Sequence, residues 1–241
     1  MTTRVFSFSH CLLAAALALS AFACGGGSGV GPDEIKKRED KLKDQLTDNW
    51  EAYQTGDFTA ALEDFTRTLE QADVAEDLTE SMRNELMSEA HNGIGWTFFK
   101  SQDLDSADVG FSNATRLNRR NADAWAGWAA VALAKKQYTE ASQRASQTLQ
   151  IEPDYNSQSR FVDEEAMVRP VGHDDFDGRH VRLLLAQAYF QLGRYSAVDG
   201  PDPNNAAAQL RLVRNGQFDF TDPGDLLDAI SKEAEKLLNP L

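Results

Sequence analysis

Apolar and small residues recur through the middle of the chain at a constant distance of 34 positions. Within each stretch most of them lie three or four residues apart, the spacing at which side chains share one face of an α-helix. The matching positions are Ile94, Gly95, Phe98, Leu104, Ala107, Ala114 and Leu117, followed by Trp128, Ala129, Ala132, Tyr138, Ala141, Thr148 and Ile151. This period predicts stacked helical hairpins, in which no unit buries its apolar face alone.

Two glycines, Gly93 and Gly95, fall inside the first of these predicted helices. A glycine in a helix interior costs about 0.5 to 1 kcal/mol relative to alanine, mainly through backbone entropy. A small side chain is worth that cost where a second backbone approaches closely. The pattern therefore predicts a helix crossing here, although Gly93 has no evident partner in the sequence.

The 34-residue pattern resembles the tetratricopeptide repeat. The resemblance implies that Gly95 and Ala129 lie where the two helices of a unit cross, and that Phe111 packs against Gly95. Ala107 and Ala141 match the most regular small position of the repeat, and Pro153 matches the proline that ends a unit. The implied fold is an all-α, superhelical solenoid of helix-turn-helix units.

Four repeat-like units are expected within residues 33–199, near 42–74, 88–121, 122–155 and 179–199. The outer two match less well, and we expect Asp48 and Asn49 to lie on a wet face of the first unit. The turns are 34 residues apart only between the middle units, and the third gap contains an insert, residues 156–178, that reads as a long loop over the solenoid.

The C-terminal region, residues 200–241, is expected to close the stack. Gly200, Pro201 and Pro203 end the preceding helix, and residues 206–213 predict a short helix before a turn. Asp222 is a plausible cap with Pro223 at the first helical position, and leucines recur at helical spacing after them. This amphipathic segment predicts a capping helix.

The N-terminal residues 1–23 predict a signal peptide. An apolar run, "CLLAAALALSAFA", follows Arg4 and is too short to span a bilayer comfortably. It leads into "AFAC", which resembles the lipobox of bacterial lipoproteins, except that Ala21 stands where leucine is commonest. The resemblance implies a lipid on Cys24, and residues 24–32 then form a lipidated, glycine-rich tether.

The same resemblance implies a location. Gly25 follows the cysteine, rather than the aspartate that retains such proteins in the inner membrane, so the implied position is the outer membrane, facing the periplasm. The alternative is an ordinary secretory signal that leaves Cys24 as a free thiol, which is a liability in an oxidising compartment.

Charge and motif content argue against nucleic-acid binding and against catalysis. The chain has 24 lysines and arginines against 38 aspartates and glutamates, a net charge of −14, and no basic cluster that could follow nucleic-acid phosphates. It carries no phosphate loop, paired-cysteine motif, zinc motif or nucleophile elbow. We expect no enzyme activity, catalytic residue, cofactor or bound metal.

One loop contains several side chains of the kinds that bind metal ions. "HDDFDGRH", from His173 to His180, gathers two imidazoles and three carboxylates, but its spacing fits neither an EF-hand nor a tetrahedral zinc site. A solvated loop is favoured over a metal site.

The repeat resemblance also implies a concave groove lined by the first helix of each unit. Its candidate partner-binding residues are Trp50, Tyr53, Asn92, Trp96, Phe99, Lys100, Leu133 and Phe190. Relatives that clamp acidic peptide ends use Lys, Arg and Asn, and only Asn92 and Lys100 would serve here. The aromatic residues instead indicate a groove for an apolar or amphipathic protein segment.

Two functions follow, with one structural alternative. The first is a lipid-anchored periplasmic scaffold that binds a protein partner in this groove. The second is a binding protein for a small ligand or cation that uses insert 156–178 as a lid. The alternative is that the chain fills its own groove, with the insert or the closing helix lying on the rings. An open groove favours the scaffold, and a roofed one favours the ligand.

Overall fold

The structure is a computed structural model that describes residues 30–157, 173, 176–195, 204–216 and 218–238. These residues form nine α-helices and no strand, apart from an isolated bridge between Asn156 and Asp177, so the predicted all-α class is confirmed. The helices are α1 (Pro32–Gln54), α2 (Phe58–Asp73), α3 (Glu80–Lys100), α4 (Leu104–Leu117), α5 (Ala122–Ala134), α6 (Tyr138–Ile151), α7 (Gly178–Gln191), α8 (Ala206–Arg214) and α9 (Pro223–Leu238).

The helices stack as successive hairpins. Each helix from α1 to α8 packs on the next. The first helices α1, α3, α5 and α7 also contact one another in order, whereas the second helices α2, α4 and α6, as described, touch only first helices. The stack is therefore narrower on the side of the first helices. That side is the concave face.

Short polar residues begin most of the helices. The side chains of Asp57, Asp103 and Asn121 accept hydrogen bonds from the backbone N–H three residues on, at 3.0, 3.1 and 3.0 Å. Such caps satisfy N–H groups that have no partner within the helix. Asp222 caps α9 in the same way, with Pro223 at its first position, so the predicted closing helix is confirmed.

Each hairpin turn contains one residue in the left-handed conformation, at Gly56, Gln102, Lys136 and Gly193. Their φ angles are 82°, 63°, 61° and 72°. The following N–H bonds back across the turn in the last three, for example from Asp103 to the Phe98 carbonyl at 3.0 Å. This is the usual helix ending, and it favours glycine because other residues are strained at positive φ. Gln102 and Lys136 are therefore strained in two of the four turns.

Glycines admit phenyl rings between the hairpins. A Cβ on Gly95 would lie 2.8 Å from the ring of Phe111, which confirms the predicted crossing. Gly93 has the role that the sequence left open, because its Cβ would lie 2.3 Å from Phe65 on α2. Gly127, one 34-residue period later, meets Phe111 at the same 2.3 Å. A second helix thus inserts its phenyl ring against a glycine of the following hairpin.

At the next boundary, between α6 and α7, the sizes of the two corresponding residues are reversed. Ala145 on α6 lies at the position of Phe65 and Phe111, nine residues after the turn, and Leu184 on α7 lies at the position of Gly93 and Gly127. Both are buried in the same apolar cluster, at 0% and 6% exposure. A large residue on the first helix therefore replaces the large residue on the second.

Two expectations change in the outer units. Asn49 is buried rather than wet, because its side-chain amide donates to the Thr68 hydroxyl at 2.9 Å. In the last unit α8 takes the place of the second helix and packs on α7, while α9 covers both. Residues 196–203, between α7 and α8, lie outside the described residues, and they include the predicted helix break at Gly200, Pro201 and Pro203.

Candidate functional site on the concave face

The predicted groove residues divide into two parts. Trp50, Tyr53, Asn92 and Trp96 are all buried, with at most 3% of each residue exposed. Phe99, Leu133 and Phe190 are half-buried, and Lys100 is exposed. The first part is therefore not an open surface in this structure.

His173 and Phe176 of the insert cover the buried part. The imidazole of His173 lies 4.1 Å, centroid to centroid, from the ring of Trp96, and 5.7 and 6.1 Å from those of Trp50 and Tyr53. Phe176 packs on Trp96 at 5.3 Å. In this region the chain fills its own groove, as the structural alternative proposed.

Asp123, in the first turn of α5, lies beneath the imidazole and is fully buried. Its carboxylate accepts hydrogen bonds from Asn92 Nδ2 at 2.7 Å and from Trp96 Nε1 at 2.8 Å. His173 Nε2 lies 3.0 Å from Oδ1, and the Tyr155 hydroxyl donates to the same oxygen. The N-terminus of α5 adds a favourable dipole to this buried charge.

Burial raises the pKa of Tyr155 well above its usual value, and the carboxylates of Glu152, Glu89 and Asp177 raise it further. Tyr155 therefore keeps its proton and acts as a donor. A donor of this kind is what the buried carboxylate of Asp123 needs, because an unpaired charge in the interior is strongly destabilising.

A second buried carboxylate, Glu89 on α3, continues the same polar floor. It accepts from Trp50 Nε1 at 3.0 Å and from Asn121 Nδ2 at 3.3 Å. Each of the two groove tryptophans thus donates to a carboxylate while its ring faces His173. We call Asp123 and Glu89, together with these rings, the groove floor.

The ends of the insert are tied together beside the floor. Gly178 N–H donates to the Tyr155 carbonyl at 2.8 Å, and Ser157 N–H donates to the Phe176 carbonyl at 3.3 Å. The Ser157 hydroxyl also donates to the carbonyl of His173. This short antiparallel pairing holds the imidazole and the phenyl ring over the floor.

His180 and Asp177 form a capping box at the start of α7. Partial burial acts to raise the pKa of Asp177, but hydrogen bonds from Arg179 and His180 outweigh it and lower the pKa below its usual value. The predicted solvated loop is thus wrong for both histidines, since one is buried in the groove and the other caps a helix. No three His, Cys, Asp or Glu side chains in the described ranges are placed to hold a metal ion.

Two hollows lie near these elements. One of about 190 Å³ adjoins the groove floor and is lined by Glu85, Glu89, Asn118, Arg120, Asn121, Ala122 and Glu152. The other, of about 440 Å³, lies between α3 and α4, and its lining includes Ile94, Phe98 and the exposed Val109.

Asp123, Glu89, Tyr155 and the role of His173 were not predicted from the sequence. One signal was available, because Glu89, Asn92 and Trp96 share a helix face at spacings of three and four. Two polar residues on a face expected to be apolar indicate a partner for their hydrogen bonds. Nothing local identifies Tyr155 or His173, whose contacts with Asp123 span 32 and 50 residues.

Cys24 and residues 25–29 lie outside the described residues, and the predicted tether, residues 24–32, is one residue too long because Pro32 already begins α1. Within the described ranges, no helix has the length and apolar character required to span a bilayer.

Comparison with known proteins adds little to these findings. No family model matches the chain, and no curated protein matches it. Among solved structures it is similar to one described as the crystal structure of MamA protein, with 14% identity over 84% of this chain and 94% of the other. The TM-score is 0.34, so this likeness carries no argument, and the all-α hairpin stack rests on the helices described above.

Proposed function

We propose that the protein is a lipid-anchored scaffold of the bacterial envelope that binds a segment of a partner protein along its concave face, without catalysis or a cofactor. The anchor is Cys24, and residues 25–31, which precede α1, are the tether. The proposed location is the outer membrane, facing the periplasm. These parts rest on the lipobox-like sequence alone.

The observation that carries the binding proposal is the seated insert. The concave face holds two side chains of the insert, one on a buried carboxylate and one on a tryptophan ring. A face that combines rings with oriented polar groups is suited to bind a protein segment, because the rings supply buried area and the polar groups fix orientation.

The uncovered part of the groove is the proposed first contact. Phe99 on α3, Leu133 on α5 and Phe190 on α7 are half-buried and follow one another along the first helices, with Lys100 exposed beside them. Trp50, Tyr53, Asn92 and Trp96 become available only where His173 and Phe176 leave the floor. An apolar or amphipathic segment fits this half-buried row.

Crosslinking in intact cells, followed by mass spectrometry, tests this proposal. The full chain is compared with a Phe99→Ala/Phe190→Ala variant. We expect capture of a recurrent partner to fall about tenfold, since two contact rings contribute about 1.4 kcal/mol or more together.

Val109→Ala is the matched control, because Val109 is 62% exposed on α4 and lies outside the groove. It should leave capture unchanged. Undiminished capture by the Phe99/Phe190 variant, with helix content intact, would contradict the groove assignment.

The second candidate, binding of a small ligand or cation beneath the insert, is favoured by the roofed groove and by the 190 Å³ hollow beside Glu89. The direct contact between His173 and the floor argues against it, since a ring separation of 4.1 Å leaves no room for a ligand between them. Calorimetry with divalent cations, before and after His173→Ala/His180→Ala, tests the cation version. Heat that the substitutions abolish would favour it over the scaffold.

A further inference from the structure

We infer that His173 and Phe176 occupy the groove as an internal ligand, and that the partner segment carries the same two groups: a histidine for Asp123 and an aromatic residue three positions later for Trp96. This inference rests on the proposed function and specifies the chemistry of the partner. The described contacts support it in three steps.

First, the groove floor is held in place by the hairpins. Trp50 packs edge-on against Phe65 at 5.0 Å, and Trp96 packs against Phe111 at 5.4 Å. Both phenyl rings belong to the glycine-packed boundaries between helices. The two indoles are therefore fixed from behind, whatever lies in front of them.

Second, the carboxylate of Asp123 is oriented by groups outside the covering segment. Asn92 and Trp96 on α3 hold one of its oxygens, and Tyr155 donates to the other. The imidazole is added to an acceptor that is already in position. Pre-organisation of this kind lowers the cost of binding, because little remains to be ordered.

Third, the electrostatics of the floor select the kind of donor. Asp123 and Glu89 are two buried carboxylates within one polar cluster, and Asn92 contacts both. An imidazole or imidazolium can donate to them, whereas an acidic peptide end would be repelled. The same repulsion disfavours the carboxylate clamp considered from the sequence.

The internal ligand also sets a minimum affinity that a partner segment must have to bind. A site that is open only part of the time shows an apparent affinity reduced by the open fraction. Removal of the two internal side chains should therefore strengthen binding of a matching segment. Weak or unmatched segments are excluded while His173 and Phe176 remain seated.

Binding of a labelled peptide tests the inference directly. The probe is "PVGHDDFDGR", the sequence of residues 170–179, and the protein is the full chain in detergent. Fluorescence anisotropy compares wild type with His173→Ala/Phe176→Ala. We expect the variant to bind the peptide about tenfold more tightly or better, as its open fraction rises.

Matched peptides test the chemistry. Replacement of either the histidine or the phenylalanine in the peptide by alanine should weaken binding to the open variant by about tenfold. Replacement of its last residue, which corresponds to the exposed Arg179, is the control and should have little effect. Equal binding of all peptides, or no binding to an open variant that keeps its helix content, would overturn the inference.

Further variants cover the other outcomes. Should the double variant lose helix content, His173→Ala alone is used with the same peptides, and an unchanged affinity for them would overturn the inference. A wild-type dimer dissociated by the peptide would assign the groove to a second copy and would also overturn it. If envelope crosslinking depends on Phe99 and Phe190 while the peptides fail, the scaffold stands and only this inference falls.

Discussion

The boundaries between hairpins and the groove floor use the same kinds of ring in different ways. At the boundaries Phe65 and Phe111 fill space left by glycines, and the fit is one of shape. On the floor Trp50 and Trp96 direct their N–H groups to buried carboxylates, and the fit is one of hydrogen bonds and charge. The boundaries thus hold the stack together, while the floor holds a covering segment that we propose a partner can replace.

The largest expected effect tests the floor. Asp123→Ala removes the acceptor shared by Asn92, Trp96, Tyr155 and His173, and should lower the free energy of unfolding by about 3 to 5 kcal/mol, because each buried donor left without an acceptor costs about 1 to 3 kcal/mol. Urea unfolding followed by circular dichroism measures it. The control is Asp105→Ala, an exposed carboxylate paired with Lys135, which should cost less than about 1 kcal/mol. Equal losses would remove the distinction between floor and surface.

The boundaries are tested by Gly93→Ala and Gly127→Ala. Each added methyl would lie 2.3 Å from a phenyl ring, so overpacking should exceed the gain in helix propensity and cost about 2 kcal/mol net. Thermal unfolding measures the change. Phe65→Leu should recover part of the loss in Gly93→Ala but none in Gly127→Ala, and recovery in both would show that the effect is not local. Gly31→Ala, with open space around it, is the control.

The boundary between α6 and α7 tests whether the sizes of the facing residues are coupled. Ala145→Phe alone should be destabilising by about 1 to 3 kcal/mol, because Leu184 already occupies the small position of the earlier units. Addition of Leu184→Gly should restore part of that stability by recreating the phenyl-on-glycine arrangement. A double-mutant cycle measures the coupling, and strictly additive effects would contradict the proposed exchange of sizes.

The turns should give a smaller effect of opposite sign. Gln102→Gly and Lys136→Gly place glycine where φ is positive, and each should raise the free energy of unfolding by about 0.5 to 1 kcal/mol. Gly56→Ala and Gly193→Ala should lower it by a similar amount. Chemical denaturation at constant m-value measures all four. A gain that also appears for Ser101→Gly, one residue earlier, would not come from the left-handed turn.

The smallest expected effect is on the pH dependence of stability, through His91 on the outer side of α3. Burial, with a contribution from Arg116, lowers the pKa of His91. The unfolded chain then binds more protons below about pH 6.5, so this group reduces stability as the pH falls from there towards its folded-state pKa. His91→Gln should match wild type at pH 8 and lose less stability at pH 5.5. Parallel urea curves at both pH values measure it, and identical pH slopes would contradict the prediction.

Several features of the fold followed from the sequence because they are local or periodic. The resemblance to the repeat placed Gly95 and Phe111, and cap chemistry placed the start of α9. Gly93 could not, since its partner Phe65 lies 28 positions earlier in a unit whose first helix matched the repeat poorly. Asn49 was misjudged for a similar reason, because Thr68, which satisfies its amide, is on the following helix.

The groove shows the same division. The sequence by itself determined that Trp50 shares a helix face with Tyr53, and Trp96 with Phe99, since a helical period fixes which residues share a face. The resemblance to the repeat implied that this face is the concave one. Only the tertiary structure decided that His173 and Phe176 cover three of these rings and that Asp123 lies beneath them. That outcome depends on contacts between residues as far apart as Trp50 and His173, 123 positions, for which no repeat or local spacing leaves a signal.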